Sequence, residues 1–134
     1  MTKKGAIEVN TKGNAPYVLC LHGAPGMHDG YPNIFDDLVQ AGLGVIAPSR
    51  PGYGRSPVES GATPPEAADL MAALLDELKV DSVVVYGISG GGATALNFAL
   101  RHPTRCKACV TEVGCTGNWV HPMKADLLGA GHKF

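Results

Sequence analysis

Three short runs restrict what this chain can become. "YVLCL" (17–21), "GVIAP" (44–48) and "SVVVYG" (82–87) are apolar almost throughout. A strand with one wet face alternates polar and apolar residues, and these do not. Each is of strand length, and each is divided from the next by a stretch with helical spacing. In "YPNIFDDLVQAG" (31–42), Ile34, Leu38 and Ala41 share a face and Gly42 is a stop signal. In "PPEAADLMAALLDELKV" (64–80), proline opens the pattern and Glu66 and Asp69 occupy the first turns. Leu70, Leu74 and Leu78 line one side of it. "GGATALNFALRH" (91–102) is a third helix, ended by Pro103, and "CKACVTEVG" (106–114) is a further strand. "AIEV" (6–9) is a short strand candidate ahead of them all.

Buried strands alternating with helices imply parallel strands covered on both faces. The expected fold class is α/β, a mostly parallel sheet with helices on both faces. Residues 1–134 read as one domain, without linker or internal repeat. The alternation is lost over 117–134.

Net charge is −1 and charged residues make up 17% of the chain, so neither a nucleic-acid surface nor a membrane patch is expected. "MTKKGAIEVNTKGN" lacks the apolar core of a signal peptide, and no apolar stretch is long enough to span a bilayer. A cytoplasmic, reducing setting is expected, in which the four cysteines form no disulfide framework. His102, Cys106, Cys109 and Cys115 suggest a zinc set at first sight. Cys106 and Cys109 are three apart on a predicted strand, so they are expected on opposite faces, which argues against a shared metal. Cys20, within the first strong run, is expected in the core.

The chemistry concentrates in "VVVYGISGGGATALNF" (83–98). Gly87-Ile88-Ser89-Gly90-Gly91 fits G-x-S-x-G between a strand and a helix. A serine on so tight a turn takes a strained backbone conformation, and the residues two before and two after it nearly touch. Glycines at 87 and 91 remove the side chains that would collide. Ser89 is then held above the carboxyl edge of the sheet, facing a helix N-terminus that favours negative charge. Positive φ is expected at Ser89, with its side chain near the amides of Ala24 and Gly90. A rival reading is a dinucleotide loop, Gly87-x-Ser89-x-x-Gly92, with Glu112 as the ribose-binding acid. Against it, serine obstructs the approach of a pyrophosphate, and the loop follows the third strong strand where the fingerprint normally opens a fold.

Two further stretches lie at the ends of the other strong strands: His22-Gly23-Ala24-Pro25-Gly26, and Ser49-Arg50-Pro51-Gly52-Tyr53-Gly54-Arg55-Ser56. In their order and intervals, the three motifs resemble the α/β-hydrolase superfamily over nearly the whole chain, thinning after about residue 117. The resemblance implies that Ser89 is the nucleophile and that the backbone N–H groups of Ala24 and Gly90 hold the oxyanion. Gly23, Gly87 and Gly91 then have structural roles, and His22 orients its loop and is not the general base. The superfamily orders its machinery as serine, acid, histidine, with the last two on loops after later strands. By that measure the chain is expected to be a C-terminally truncated half, with a cap or lid region beginning near 117. Within the chain, Glu112, His121 and His132 are weak candidates for the acid and base. His102 ends the elbow helix, about 15 Å from Ser89. Trp119, Val120 and Met123 suit either the start of a cap helix or uncovered apolar surface.

The resemblance implies a serine hydrolase cleaving an ester, thioester or amide of a small molecule through an acyl-serine intermediate. No metal or organic cofactor is implied. Serine at the elbow argues against the haloalkane- and epoxide-opening branches, which use aspartate there, while an aminopeptidase branch keeps peptide substrates open. The alternative is a catalytically incomplete fragment or a non-enzymatic binding module on the same scaffold. The strand at 106–113 is expected to leave an uncovered sheet edge through which the chain self-associates.

Overall fold

A computed structural model describes residues 1–114. The elements run β1 (Val9–Lys12), β2 (Tyr17–Leu21), α1 (Pro32–Gln40), β3 (Gly44–Pro48), a 3-10 turn at Val58–Ser60, α2 (Pro64–Glu77), β4 (Val83–Ile88), α3 (Gly91–Arg101) and β5 (Cys106–Glu112). They form one sheet in the order β1-β3-β2-β4-β5. β3, β2, β4 and β5 are parallel, and β1 joins antiparallel at the edge. After β2 the chain steps outward to β3, then returns to the other side of β2 to lay down β4. The carboxyl ends of β2 and β4 therefore flank the point where the winding reverses, which is where open α/β sheets bind ligands.

The two faces are covered unequally. α2 and α3 close one of them around Leu19, Leu21, Ile46, Leu70, Met71, Leu75, Val83, Val85 and Phe98, all fully buried. α2 begins with a capping box in which Thr63 accepts from the Glu66 amide and the Glu66 side chain accepts from the Thr63 amide. Arg101 grips Asp69 through two nitrogens at 2.9 and 2.7 Å, and His102 Nε2 meets the same carboxylate at 2.9 Å, tying α3 to α2. Among the described residues only α1 covers the other face, packing Phe35 against Val18, Cys20, Val45 and Ala47. Beside it lies an apolar hollow of about 340 Å³ bounded by Tyr17, Ile34, Leu38, Val84, Tyr86 and Val110. No described helix is long and apolar enough to cross a membrane.

The structure departs from the sequence reading in two places. The first strand begins at Val9 and not at Ala6. Its ladder partner β3 fixes the register, from Val9↔Pro48 to Lys12↔Val45. Upstream of it, the Glu8 amide donates to Ser56 Oγ and the Glu8 carbonyl accepts from the Ser49 amide, both at 2.9 Å. The second correction concerns the cysteines. Val83 pairs with Cys106 but Val84 pairs with Ala108, so β5 bulges at Lys107. The extra residue resets the alternation. Cys106 and Cys109 consequently share the α2/α3 face, where both pack on the core, and are not on opposite sides. They are free thiols, as is buried Cys20, whose thiol burial pushes up to about 12. No cluster of three or more metal-ligating side chains occurs among the described residues. β5 is the outer strand there, with Val110 48% exposed.

Candidate active site

Only Ser89 and Gly90 separate β4 from α3. Ser89 has φ +49°, a left-handed conformation that costs a residue with a side chain on the order of 1–3 kcal/mol. The turn is held from both sides. The Ser89 amide donates to the Glu112 carbonyl at 2.9 Å, and the Ser89 carbonyl accepts from the Gly92 amide at 2.9 Å. A Cβ on Gly87 would stand 2.8 Å from the Gly91 carbonyl oxygen and from Ala95 Cβ. A Cβ on Gly91 would overlap the Leu21 carbonyl oxygen and lie 2.8 Å from that of His22. The two glycines thus permit a close approach of β2, β4 and α3. The N-terminus of α3 is driven against the end of β2, where His22-Gly23-Ala24 begins. A Cβ on Gly23 would lie 3.1 Å from Ser89 Cβ, so the backbone leading to Ala24 passes directly against the serine. Ser89 itself is half-buried, at the carboxyl edge and outside the two core clusters.

The described histidines are all engaged away from Ser89. His22 is 2% exposed. Its Nε2 accepts from the Arg50 amide at 2.9 Å, which places the proton on Nδ1, 2.7 Å from the Gly23 carbonyl. Burial holds its pKa below the usual imidazole value, opposed by the Gly23 carbonyl and assisted by the charges of Arg50 and His28. A neutral His22 with both nitrogens engaged joins the loop after β2 to the loop after β3. His28 lies against Ser49 Oγ at 3.1 Å through both its amide and its Nδ1, and its Nδ1 is 3.2 Å from Glu8. His102 is held on Asp69 at the far end of α3.

The loop after β3 therefore brings together a serine, a histidine and a carboxylate. Ser49 is nevertheless 0% exposed, and its hydroxyl donates to Glu8 Oε2 at 2.9 Å. Glu8 also accepts from the Arg55 side chain at 2.7 Å and from the Arg55 amide at 3.1 Å. These bonds, that of the Arg55 side chain foremost, lower its pKa to about 2. No substrate atom can reach Ser49, so this set braces the loops.

Glu112 ends β5 beside Ile88. Its carboxylate accepts a hydrogen bond from Tyr86 Oη. That bond, with burial and the carboxylate charge behind it, pushes the phenol up to about 12. Glu112 is thus joined to the elbow through its backbone carbonyl, while its side chain is turned to Tyr86. His121, His132, Cys115, Trp119, Val120, Met123 and the expected start of a cap near 117 lie outside the described residues.

Two residues touch the elbow or the His-Gly loop packed on it without having been assigned a role from sequence. Tyr31 precedes α1, and its hydroxyl accepts from the Gly23 amide at 3.4 Å. Arg50 lies on the other side, with its guanidinium against Gly90. Arg50 sits inside a quoted motif, so its presence was visible though its destination was not. Nothing in the spacing of Tyr31 points to the loop after β2.

A strained serine between a central parallel strand and a helix, with a His-Gly loop against it, defines a class of protein, and comparison agrees. A family model described as alpha/beta hydrolase fold matches residues 16–134, and the chain belongs to that family. An uncharacterized hydrolase, YcgS, of Bacillus subtilis is 32% identical over 127 residues, covering 91% of this chain and 43% of the relative. An epoxide hydrolase of Caballeronia sordidicola is 36% identical over 106 residues, covering 77% of this chain and 32% of the relative. The solved structure of an alpha/beta hydrolase fold protein from Nakamurella multipartita superposes with a TM-score of 0.81 at 34% identity. It covers 98% of this chain and 50% of that one. The chain spans half or less of the length of these proteins.

Proposed function

We propose that the protein to which this chain belongs is a serine hydrolase that cleaves a small ester, thioester or amide through an acyl-serine. The observation that carries the reading is Ser89 at φ +49°, with the loop toward Ala24 packed against it. In the proposed reaction, Ser89 Oγ attacks the carbonyl carbon and its proton passes to a base outside the described residues. The new oxyanion is met by the amides of Ala24 and Gly90 and by the N-terminus of α3. Collapse expels the alcohol, thiol or amine with that proton. Water then attacks the acyl-serine, releases the acid and restores the hydroxyl. One relative named above is an epoxide hydrolase. Opening an epoxide through a covalent ester requires a carboxylate at the elbow, and position 89 is serine, which favours acyl transfer for this chain.

A second reading, a scaffold with little turnover of its own, is supported by the engagement of His22, His28 and His102 elsewhere. One experiment addresses both. The 134-residue chain is treated with a fluorophosphonate probe and assayed with an activated ester, beside Ser89→Ala. Labelling mapped to Ser89 with slow ester turnover is expected. Labelling at another residue would remove the serine reading. Rapid turnover lost on His121→Ala or His132→Ala would replace the second reading with a self-sufficient active site.

A further inference from the structure

Four arginines lie in the described chain, and three of them meet carboxylates. Arg55 pairs with Glu8, Arg101 with Asp69 and Arg105 with Asp76, at 2.7 to 2.8 Å. Arg50 meets none among the described residues, although it is half-buried and stands beside the serine elbow. It is held in place: Nε donates to the His22 carbonyl at 2.7 Å, and the guanidinium carbon lies 4.9 Å from the centre of the Tyr53 ring. Its terminal nitrogens, Nη1 and Nη2, make no hydrogen bond to the described residues. Among the described residues, no buried side-chain nitrogen or oxygen lacks a partner, so nothing described there encloses either of them unpaired. A Cβ on Gly90 would stand 3.3 Å from Nη2 and 4.0 Å from Nη1, so the fork occupies the space that a side chain at 90 would take.

We propose that Arg50 is a carboxylate anchor for the substrate. Guanidinium cannot shed its charge by deprotonation, so a half-buried one that meets no described carboxylate favours an anionic partner. Nη1 and Nη2 form the end-on edge of a planar fork, which matches the two oxygens of a carboxylate. Nε and the ring of Tyr53 already fix that fork, so little freedom remains to be lost on binding. The neighbouring imidazole of His22 is neutral, and the N-terminus of α3 adds positive potential. Resting on the serine-hydrolase reading, this makes the preferred substrate an acyl compound with a carboxylate near its scissile carbonyl.

The test has a binding arm and a reaction arm. In the first, the isotope-labelled chain is titrated with glutarate, and with its neutral diamide at equal ionic strength, while the Arg50 Nε–H and Gly90 amide signals are followed. Saturable shifts with glutarate and none with the diamide are expected, in wild type and in Ser89→Ala alike. Arg50→Met is expected to weaken glutarate about tenfold or more, and Arg50→Lys, which keeps the charge but not the fork, by several-fold. In the second arm, acylation of Ser89 by mono-4-nitrophenyl glutarate and by 4-nitrophenyl acetate is read by mass. A preference for the glutarate ester that disappears in Arg50→Met is expected. Equal glutarate affinity in wild type and Arg50→Lys, or equal shifts from the diamide, would overturn the anchor. If Arg50→Met fails to fold, the Arg50→Lys comparison decides alone. Arg50-dependent glutarate binding without any acylation of Ser89 supports the anchor and removes the serine reading on which its substrate role rests.

Discussion

Ser49 and Ser89 stand at the same end of the sheet, each just past a strand, and those strands flank β2 from either side. Ser49 has a histidine and a carboxylate within hydrogen-bond reach. Ser89 has neither from the described residues, yet Ser89 is the one for which we propose chemistry. The difference lies in the backbone. Ser49 continues its strand into a buried loop, donates to Glu8 and accepts from the His28 amide, so its oxygen is committed. Ser89 interrupts its strand at positive φ and is carried out to the carboxyl edge against the His-Gly loop. Residue types that form a catalytic set elsewhere serve here as a brace, because access decides between the two roles.

The contrast breaks most sharply in covalent labelling. Ser89→Ala is expected to reduce fluorophosphonate labelling to background, while Ser49→Ala retains it within about twofold where the protein is folded. Peptide mass spectrometry reads both, and labelled Ser49 would erase the distinction. Gly91→Ala should have the largest effect on stability, about 3 kcal/mol, because the added methyl meets backbone carbonyls that cannot swing aside. Urea midpoints measure it, and an unchanged midpoint would mean that the elbow relaxes.

Ser49→Ala is expected to cost about 1–3 kcal/mol, since the His28 amide and Glu8 lose a buried partner. Ser89→Ala should stay within about 0.5 kcal/mol, because its hydroxyl has no such partner among the described residues. Equal costs would show that the two hydroxyls are equally embedded.

A smaller effect follows from acid. His22 is depressed from 6.5, so its neutral form adds stability above that pH, and the contribution is lost as pH falls below 6.5. Glu8, lowered from 4.5 to about 2, and Asp69, lowered from 3.8 to about 2, add stability above those ordinary values. Their contribution drains away as pH falls from 4.5 toward 2. Glu8→Gln should flatten the lower limb of a stability–pH curve and leave the limb near 6 intact. A curve unchanged by Glu8→Gln would detach the Ser49 brace from acid sensitivity.

The central architecture was legible because buried parallel strands are marked by composition alone. β2 and β3 fall on the apolar runs 17–21 and 44–48 residue for residue, and each helix lies within its periodic stretch. β1 was misplaced for the complementary reason. "VNTK" carries no apolar signature, and only the ladder with β3 makes it a strand. The bulge at Lys107 was equally invisible, since nothing local marks an extra residue, and its effect is to move Cys106 to the face of Cys109.

Of the site, sequence by itself determined the serine, its flanking glycines and their place between strand and helix, because a tight turn constrains residues only a few positions apart. Tertiary structure decided what stands around them. The Ser49–Glu8 contact joins residues 41 apart, and the Arg50 contact with His22 joins residues 28 apart. Such pairings arise from which strands lie side by side, and the order β3-β2-β4 is a property of the folded sheet. That order sets Arg50 beside Gly90 and closes Ser49 off from solvent, because loops from neighbouring strands must share the space at the carboxyl edge.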